Sequence, residues 1–326
     1  MDWMEGFLLL ICLVLVAVTV VVIFVISRSQ ALADVPVYEG ENVYLDPKAG
    51  EWHRFDDIPC ALIVPGTIDL SVIVPAYNEE NRLNAMMDEA TQYLDARQKA
   101  QKSFQYEIII VDDGSKDCTS TLGRKWSSKL GPDKVRVLTL ARNRGKGGAV
   151  RMGMFRCRGR RCLFADADGA TQFSELEKLE SKLSAIQSAH EGDGIVCGSR
   201  AHMEKDSIAT RSLFRTVLMH GFHVCVWFFG CQSIKDTQCG FKLMTRSTAC
   251  DLFRSLHIER WAFDVELLKI AEMLKIPTAE VPVRWTEIDG SKLDPISASV
   301  QMFYDLFALW LRYRLGAWKI AKRHTK

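Results

Sequence analysis

The sequence has almost no charge imbalance: 42 Lys and Arg against 40 Asp and Glu leave a formal +2 at pH 7. That excludes a nucleic-acid binder held by bulk electrostatics, so any anion site must rest on local clusters. There is no Asn-x-Ser/Thr acceptor, and the 10 cysteines are scattered, several in apolar runs such as those around Cys197 and Cys225. Nothing points to an oxidising compartment around the main domain, and the thiols read as reduced and structural. The Gly-x-x-x-x-Gly-Lys-Ser/Thr loop is missing, which argues against a P-loop NTPase. No Gly-x-Gly-x-x-Gly follows the first strand, which argues against a dinucleotide-dependent oxidoreductase. Internal repeats and low-complexity segments are absent, and the histidines, His220 and His223 among them, form no metal-spaced cluster.

One segment lacks charge and proline altogether, from Phe7 to Ile26. As a helix it would span roughly 30 Å, the thickness of a bilayer's hydrocarbon core. A cleaved signal peptide is the competing reading. The apolar stretch is long for one, its N-terminal flank carries Asp2 and Glu5, and no small-x-small cleavage site follows. The organisation expected is therefore a short lumenal N-terminus at 1–6, a transmembrane anchor at 7–26, a Pro- and Gly-containing juxtamembrane linker at 27–68, a main globular domain at 69–300 and a basic aromatic helix at 301–326. Positive charge begins at Arg28, which predicts the large C-terminal part on the cytosolic side. The last segment mixes Phe303, Tyr304, Phe307, Trp310, Tyr313 and Trp318 with Arg312, Arg314, Lys319, Lys322 and Arg323. Such a mixture suits a bilayer interface, and packing on the domain accounts for the aromatics as well.

With 48% hydrophobic and 25% charged residues there is ample material for a core. Leu70 to Pro75 reads as a buried strand, and Glu79 to Lys102 as a helix with Leu83, Met86, Met87, Ala90 and Leu94 on one face. Strands follow at Glu107–Val111, Val135–Leu140 and Cys162–Ala165, separated by helices that run toward Leu130 and over Gly145–Arg158. Strands alternating with helices predict a doubly wound, mostly parallel sheet. Ligands then bind beyond the carboxyl ends of the strands, where Tyr77, Asp113 and Asp166 fall. Further on, Ile195–Gly198 reads as a fifth strand, Ser207–Phe229 as a long apolar stretch, and Ile258–Leu274 as a helix.

Asp166 and Asp168 leave the fourth strand on the same side, because side chains two apart share a face. Such a pair can hold Mg²⁺ or Mn²⁺ and, through the metal, a diphosphate; the bland alternative is a solvated turn. Gly145-Lys146-Gly147-Gly148 at a helix start offers backbone N–H groups and a cation to a phosphate. Arg211 and Arg215, one turn apart, can reach the same anion, and Arg200 is a third candidate; solvated arginines beside a buried helix are the alternative.

Together, Val74-Pro75-Ala76-Tyr77-Asn78-Glu79-Glu80, Val111-Asp112-Asp113-Gly114-Ser115, Asn143-Arg144-Gly145-Lys146-Gly147-Gly148-Ala149 and Asp166-Ala167-Asp168-Gly169 resemble the motifs of the family-2 inverting glycosyltransferases. The resemblance covers about residues 69–293 and implies the GT-A fold of nucleotide-diphospho-sugar transferases. Segments Asp166–Thr171, Lys235–Lys242 and Arg260–Leu268 are similar to members that act on a polyprenyl phosphate. They imply UDP-glucose as donor, dolichyl phosphate as acceptor and the cytosolic face of the endoplasmic reticulum as location.

By the same resemblance Pro75, Ala76, Tyr77, Glu79, Val111, Asp113, Lys146, Asp166, Ala167, Asp168 and Lys292 contact the nucleotide sugar. Tyr77 would lie beside the base, Glu79 would accept from a ribose or base donor, and Asp113 would accept the N3 hydrogen of uracil. Asp166 and Asp168 would hold the metal. Arg200, Arg211 and Arg215 would hold the acceptor phosphate, with the apolar stretch 213–229 receiving the isoprenoid tail. Asp168 and Asp264 are the residues assigned to catalysis, Asp264 orienting a substrate group because a phosphate acceptor needs no strong base. The sequence departs from the pattern at Ala170, where related polyprenyl-phosphate transferases carry a metal-binding Gln; Gln172 is out of register. The alternatives are GDP-mannose as donor, a catalytically silent membrane adaptor that kept the nucleotide-binding fold, and, third, an oxidoreductase.

Overall fold

The computed structural model describes residues 6–7, 11–16, 18–21, 35–55, 63–189, 192–203, 221, 226, 228–231, 233–288 and 295–321. A hairpin of β1 (Val43–Asp46) and β2 (Glu51–Arg54) comes first. Then follow β3 (Ile68–Ala76), α1 (Leu83–Ala100), β4 (Tyr106–Asp112), α2 (Thr119–Leu130), β5 (Val135–Thr139), α3 (Lys146–Met154) and β6 (Gly159–Ala165). The second half holds α4 (Leu176–Ala189), β7 (Ile195–Ser199), β8 (Phe241–Thr245), α5 (Arg246–Ser255), α6 (Phe263–Met273), β9 (Thr278–Pro282) and α7 (Pro295–Arg314).

Seven strands form one sheet in the order β5-β4-β3-β6-β8-β7-β9. All pairs are parallel except those of β8, which runs antiparallel to both β6 and β7. Both faces are covered, so the central strands carry apolar residues on both sides: Val72 and Val74 point into one core with Ile108 and Ile110, and Ile73 into the other with Ile109 and Val111. Burial of these side chains at about 25 cal/mol per Å² of apolar surface is the main favourable contribution.

Three expectations are modified. The helix expected from Glu79 begins at Leu83, because residues 79–82 form a turn after Asn78, whose φ is +54°. The helix expected from Ile258 begins at Phe263, because the Glu266 carboxylate accepts the backbone N–H groups of His257 (3.0 Å) and Ile258 (2.6 Å) and holds them out of the helix. Within the expected linker, residues 35–55 belong to the folded domain: Glu41 is fully buried and Phe55 lies in the core.

Among the described residues no helix is long and apolar enough to cross a membrane. Of the expected anchor at 7–26, residues 7, 11–16 and 18–21 are helical and the others lie outside the described residues. The C-terminal apolar residues divide. Leu306 and Leu309 are buried, and beyond the helix Trp318 stacks on His257 at 4.3 Å, whereas Val300, Phe303 and Tyr304 are exposed.

Candidate functional site

Parallel pairing sets the ends of β3 and β4 level, Ala76 opposite Asp112, and the Asp113 N–H donates to the Ala76 carbonyl at 2.9 Å. The Asp113 carboxylate is spanned by the loop before α3, accepting from the N–H of Arg144 (2.7 Å) and of Gly145 (2.8 Å). Burial pushes its pKa up to about 7 despite these two amides.

The glycines of that loop serve close packing. Gly145 has φ +87° and abuts the Glu259 carbonyl, and a Cβ on Gly147 would lie 2.5 Å from that of Phe263. The Gly145 and Gly148 N–H groups are already donated, to Asp113 and to the Glu259 carbonyl at 2.9 Å. The expectation that these glycines offer open amides to a phosphate is thereby corrected for both. What the loop presents is Lys146, whose Nζ lies 2.7 and 2.9 Å from the two carboxylate oxygens of Asp166 at the end of β6.

From Lys146 a chain of alternating charge continues inward. Lys242, in the middle of β8 and fully buried, donates to the Asp264 carboxylate at 2.6 Å and to the Cys239 carbonyl at 2.7 Å. Burial holds the Asp264 carboxyl above its ordinary range, opposed by the charges of Lys242 and Lys146. Asp168 is raised too, by burial first and then by the charge of Asp166, although it accepts the Ala170 N–H at 2.9 Å. Two neighbouring carboxylates, one of them raised in pKa by burial and by the other's charge, form a hard oxygen donor set that a divalent cation suits. Among the described residues no group of three His, Cys, Asp or Glu is arranged as a metal site, and Ala170 and the exposed Gln172 supply no third ligand. The residues present therefore fit Mg²⁺ or Mn²⁺ completed by oxygens of another molecule.

Gly240 explains why the segment before β8 is built as it is. Its carbonyl accepts the Asp166 N–H at 3.0 Å, and any Cβ there would overlap the Asp166 carboxylate. Lys242 and Gly240 carry no assignment from sequence. The available signal was a lysine inside the apolar run from Phe241 to Met244, directly after a glycine.

The other expected residues fall as follows. Pro75 is half-buried and Tyr77 exposed at the crevice, while the side chains of Ala76, Val111 and Ala167 are buried in the cores, leaving only backbone for a ligand. Glu79 receives both Nε and Nη2 of Arg82 at 2.6 Å, and Arg82 in turn feels the charges of Asp168 and Asp166. Arg200 is paired bidentately with Asp236, at 2.8 and 2.9 Å. Arg211, Arg215 and Lys292 lie outside the described residues.

Residues 71–259 match the model of the glycosyl transferase family 2. The chain belongs to that family. Its sequence is 52% identical to a dolichyl-phosphate beta-glucosyltransferase of Drosophila melanogaster, over 95% of this chain and 94% of the relative. It is 53% identical to the Homo sapiens protein of the same name, over 94% and 92%, and 42% identical to that of Saccharomyces cerevisiae, over 78% of each. Among solved structures the fold is similar to glucosyl-3-phosphoglycerate synthase from Mycobacterium tuberculosis in complex with uridine diphosphate, with a TM-score of 0.52, 20% identity, and 81% of this chain and 87% of that one covered. The family-2 match spans β3 through α5 and so contains Asp113, Lys146, Asp166, Asp168 and Lys242. Asp264 lies just beyond its end.

Proposed function

We propose that the protein transfers glucose from UDP-glucose to dolichyl phosphate, with inversion at the anomeric carbon, at the cytosolic face of the endoplasmic reticulum membrane. The observation that supports this most is the convergence of Asp113, Lys146, Asp166 and Asp168 on one crevice at the carboxyl ends of β4 and β6, in a chain about half identical to proteins named for this transfer. In this reading Asp113 receives uracil N3–H and Lys146 turns from Asp166 to the diphosphate. Asp166 and Asp168 would hold Mg²⁺ or Mn²⁺, which would offset the charge that develops on departing UDP. A similar fold crystallised with Mn²⁺ and uridine diphosphate, at TM-score 0.50 and 20% identity, supports the metal.

The acceptor phosphate is anionic at neutral pH and needs no strong base, so positioning dominates. One of its oxygens attacks the anomeric carbon from the side opposite the diphosphate. The bond to UDP breaks as the new bond forms, and UDP leaves with the electron pair. Asp264, fixed by Lys242, orients the reacting groups. Arg211 and Arg215 are assigned to the acceptor phosphate and the apolar stretch 213–229 to its isoprenoid tail. Arg200, whose guanidinium Asp236 already holds, is the third residue assigned to that phosphate. Segment 7–26 anchors the chain, and the exposed Phe228, Val300, Phe303 and Tyr304 face the bilayer.

Microsomes carrying the protein, supplied in turn with labelled UDP-glucose and GDP-mannose, test the reading. Label from UDP-glucose should enter dolichyl phosphate; use of GDP-mannose alone would overturn the donor assignment.

A further inference from the structure

The loop that carries Lys146 is gripped from two sides. On one side Asp113 takes its backbone N–H groups at residues 144 and 145. On the other lies a segment far away in sequence, residues 36–41. The Glu41 carboxylate is fully buried, and its Oε2 accepts Arg144 Nη2 at 2.6 Å and the Tyr38 N–H at 3.0 Å. Its Oε1 accepts the Ala141 N–H at 2.9 Å, just after the end of β5. The same Arg144 Nη2 also donates to the Pro36 carbonyl, and the guanidinium lies over the Tyr38 ring at 5.2 Å. Arg156, likewise buried, donates to the Glu41 carbonyl and ties the segment to the end of α3.

We propose that Glu41 is a positioning residue for the donor-binding loop: through Arg144 it fixes the backbone that presents Lys146 and meets Asp113. The inference rests on the nucleotide-sugar reading of that loop.

The geometry separates this pair from an ordinary buried ion pair. Arg144 is the residue directly before Gly145 and Lys146, and its own N–H is one of the two that Asp113 accepts. Its side chain therefore has a fixed anchor on segment 36–41 while its backbone has a fixed anchor on the sheet. Removing the Glu41 charge weakens that side-chain anchor and leaves the loop to Asp113, the Glu259 carbonyl and the Lys146–Asp166 pair. An otherwise well-placed cation then spends less of its time where a diphosphate would lie, and small misplacements of this kind cost binding steeply. Segment 36–41 begins only ten residues after the expected anchor ends at 26, so on the proposed reading the chain that leaves the membrane soon reaches the donor site.

The full chain, reconstituted in lipid, is compared as wild type, Glu41→Gln and Arg144→Lys, with Glu107→Gln as a control for loss of a buried ion pair elsewhere. Donor dissociation constants, KM, kcat and melting temperature are measured for UDP-glucose and GDP-mannose. Glu41→Gln should raise the donor Kd and KM about tenfold with kcat within about twofold, and Arg144→Lys, which keeps the charge but not the fork, should fall between. Glu107→Gln should lower the melting temperature without moving the donor Kd. Unchanged donor Kd in Glu41→Gln, or an equal rise in Glu107→Gln, overturns the proposal. Should Glu41→Gln fail to fold, Arg144→Lys decides it on the same readout. Wild type that binds only GDP-mannose would refute the donor reading, and the comparison among variants is then read with that nucleotide.

Discussion

The molecule buries two clusters of charge at opposite ends of the same sheet, and they are built differently. At the amino ends of the central strands, Glu107 is fully enclosed and accepts from Ser71 Oγ (2.5 Å), the Arg158 N–H (2.6 Å), Arg158 Nε (2.9 Å) and Arg136 Nη2. Burial alone would raise its pKa, but the two arginines outweigh it and hold the carboxyl below its ordinary range. At the carboxyl ends, Asp113, Asp168 and Asp264 are all held above theirs, burial being the first cause in each. The first cluster is satisfied and closed. The second has more negative charge than its lysines compensate, and that deficit marks it as the end prepared for a ligand.

Breaking the closed cluster should have the largest effect. Glu107→Gln leaves Arg136 without its countercharge and should cost about 3–5 kcal/mol in denaturant unfolding, with KM for the donor unchanged. Because the folded pKa of Glu107 lies below its ordinary 4.5, its contribution is present above that value and lost as pH falls through the folded one. The variant should lack this acid-side loss.

At the open cluster, Gly240→Ala should leave the melting temperature nearly unchanged and lower kcat about a hundredfold, since the new methyl displaces the Asp166 carboxylate. Equal turnover would show that Asp166 has no fixed place in the reaction.

A smaller effect concerns Asp113. Its folded pKa near 7 lies above its ordinary 3.8, so its contribution to stability is present below 3.8 and is lost as pH rises through about 7. Donor affinity has the opposite sign, because the ionised carboxylate is the better acceptor for uracil. Between pH 8 and pH 6 the UDP-glucose affinity should fall about tenfold, one protonation per site, and Asp113→Asn should flatten the profile.

The two halves of the sheet also differ in how plainly they could be read from sequence. Strands β3 to β6 each carry an apolar run, and those of β3, β4 and β6 end in Pro75, Asp112-Asp113 and Asp166, so both the fold and the crevice follow from periodicity and from where polar residues interrupt it. Strand β8 escaped because Lys242 sits inside it, and the charge that pairs with a lysine there comes from Asp264, 22 positions later. The same limit hid segment 36–41. Its Pro36 and Gly40 resemble a linker, and its one decisive feature, Glu41 under Arg144, is a contact between residues 103 apart. The site's polar ends were legible and its supports were not, because supports are defined by partners distant along the chain.

Asp166 and Asp168 are the residues proposed to hold the donor diphosphate through a divalent cation. Equilibrium binding of UDP to the lipid-reconstituted chain, with Mn²⁺ and then with excess chelator, for wild type and Asp168→Asn, tests this assignment directly. Wild-type affinity should fall at least about tenfold on chelation, while Asp168→Asn should bind weakly and equally under both conditions. Equal affinity with and without the metal in the wild type, matched by the variant, would contradict it.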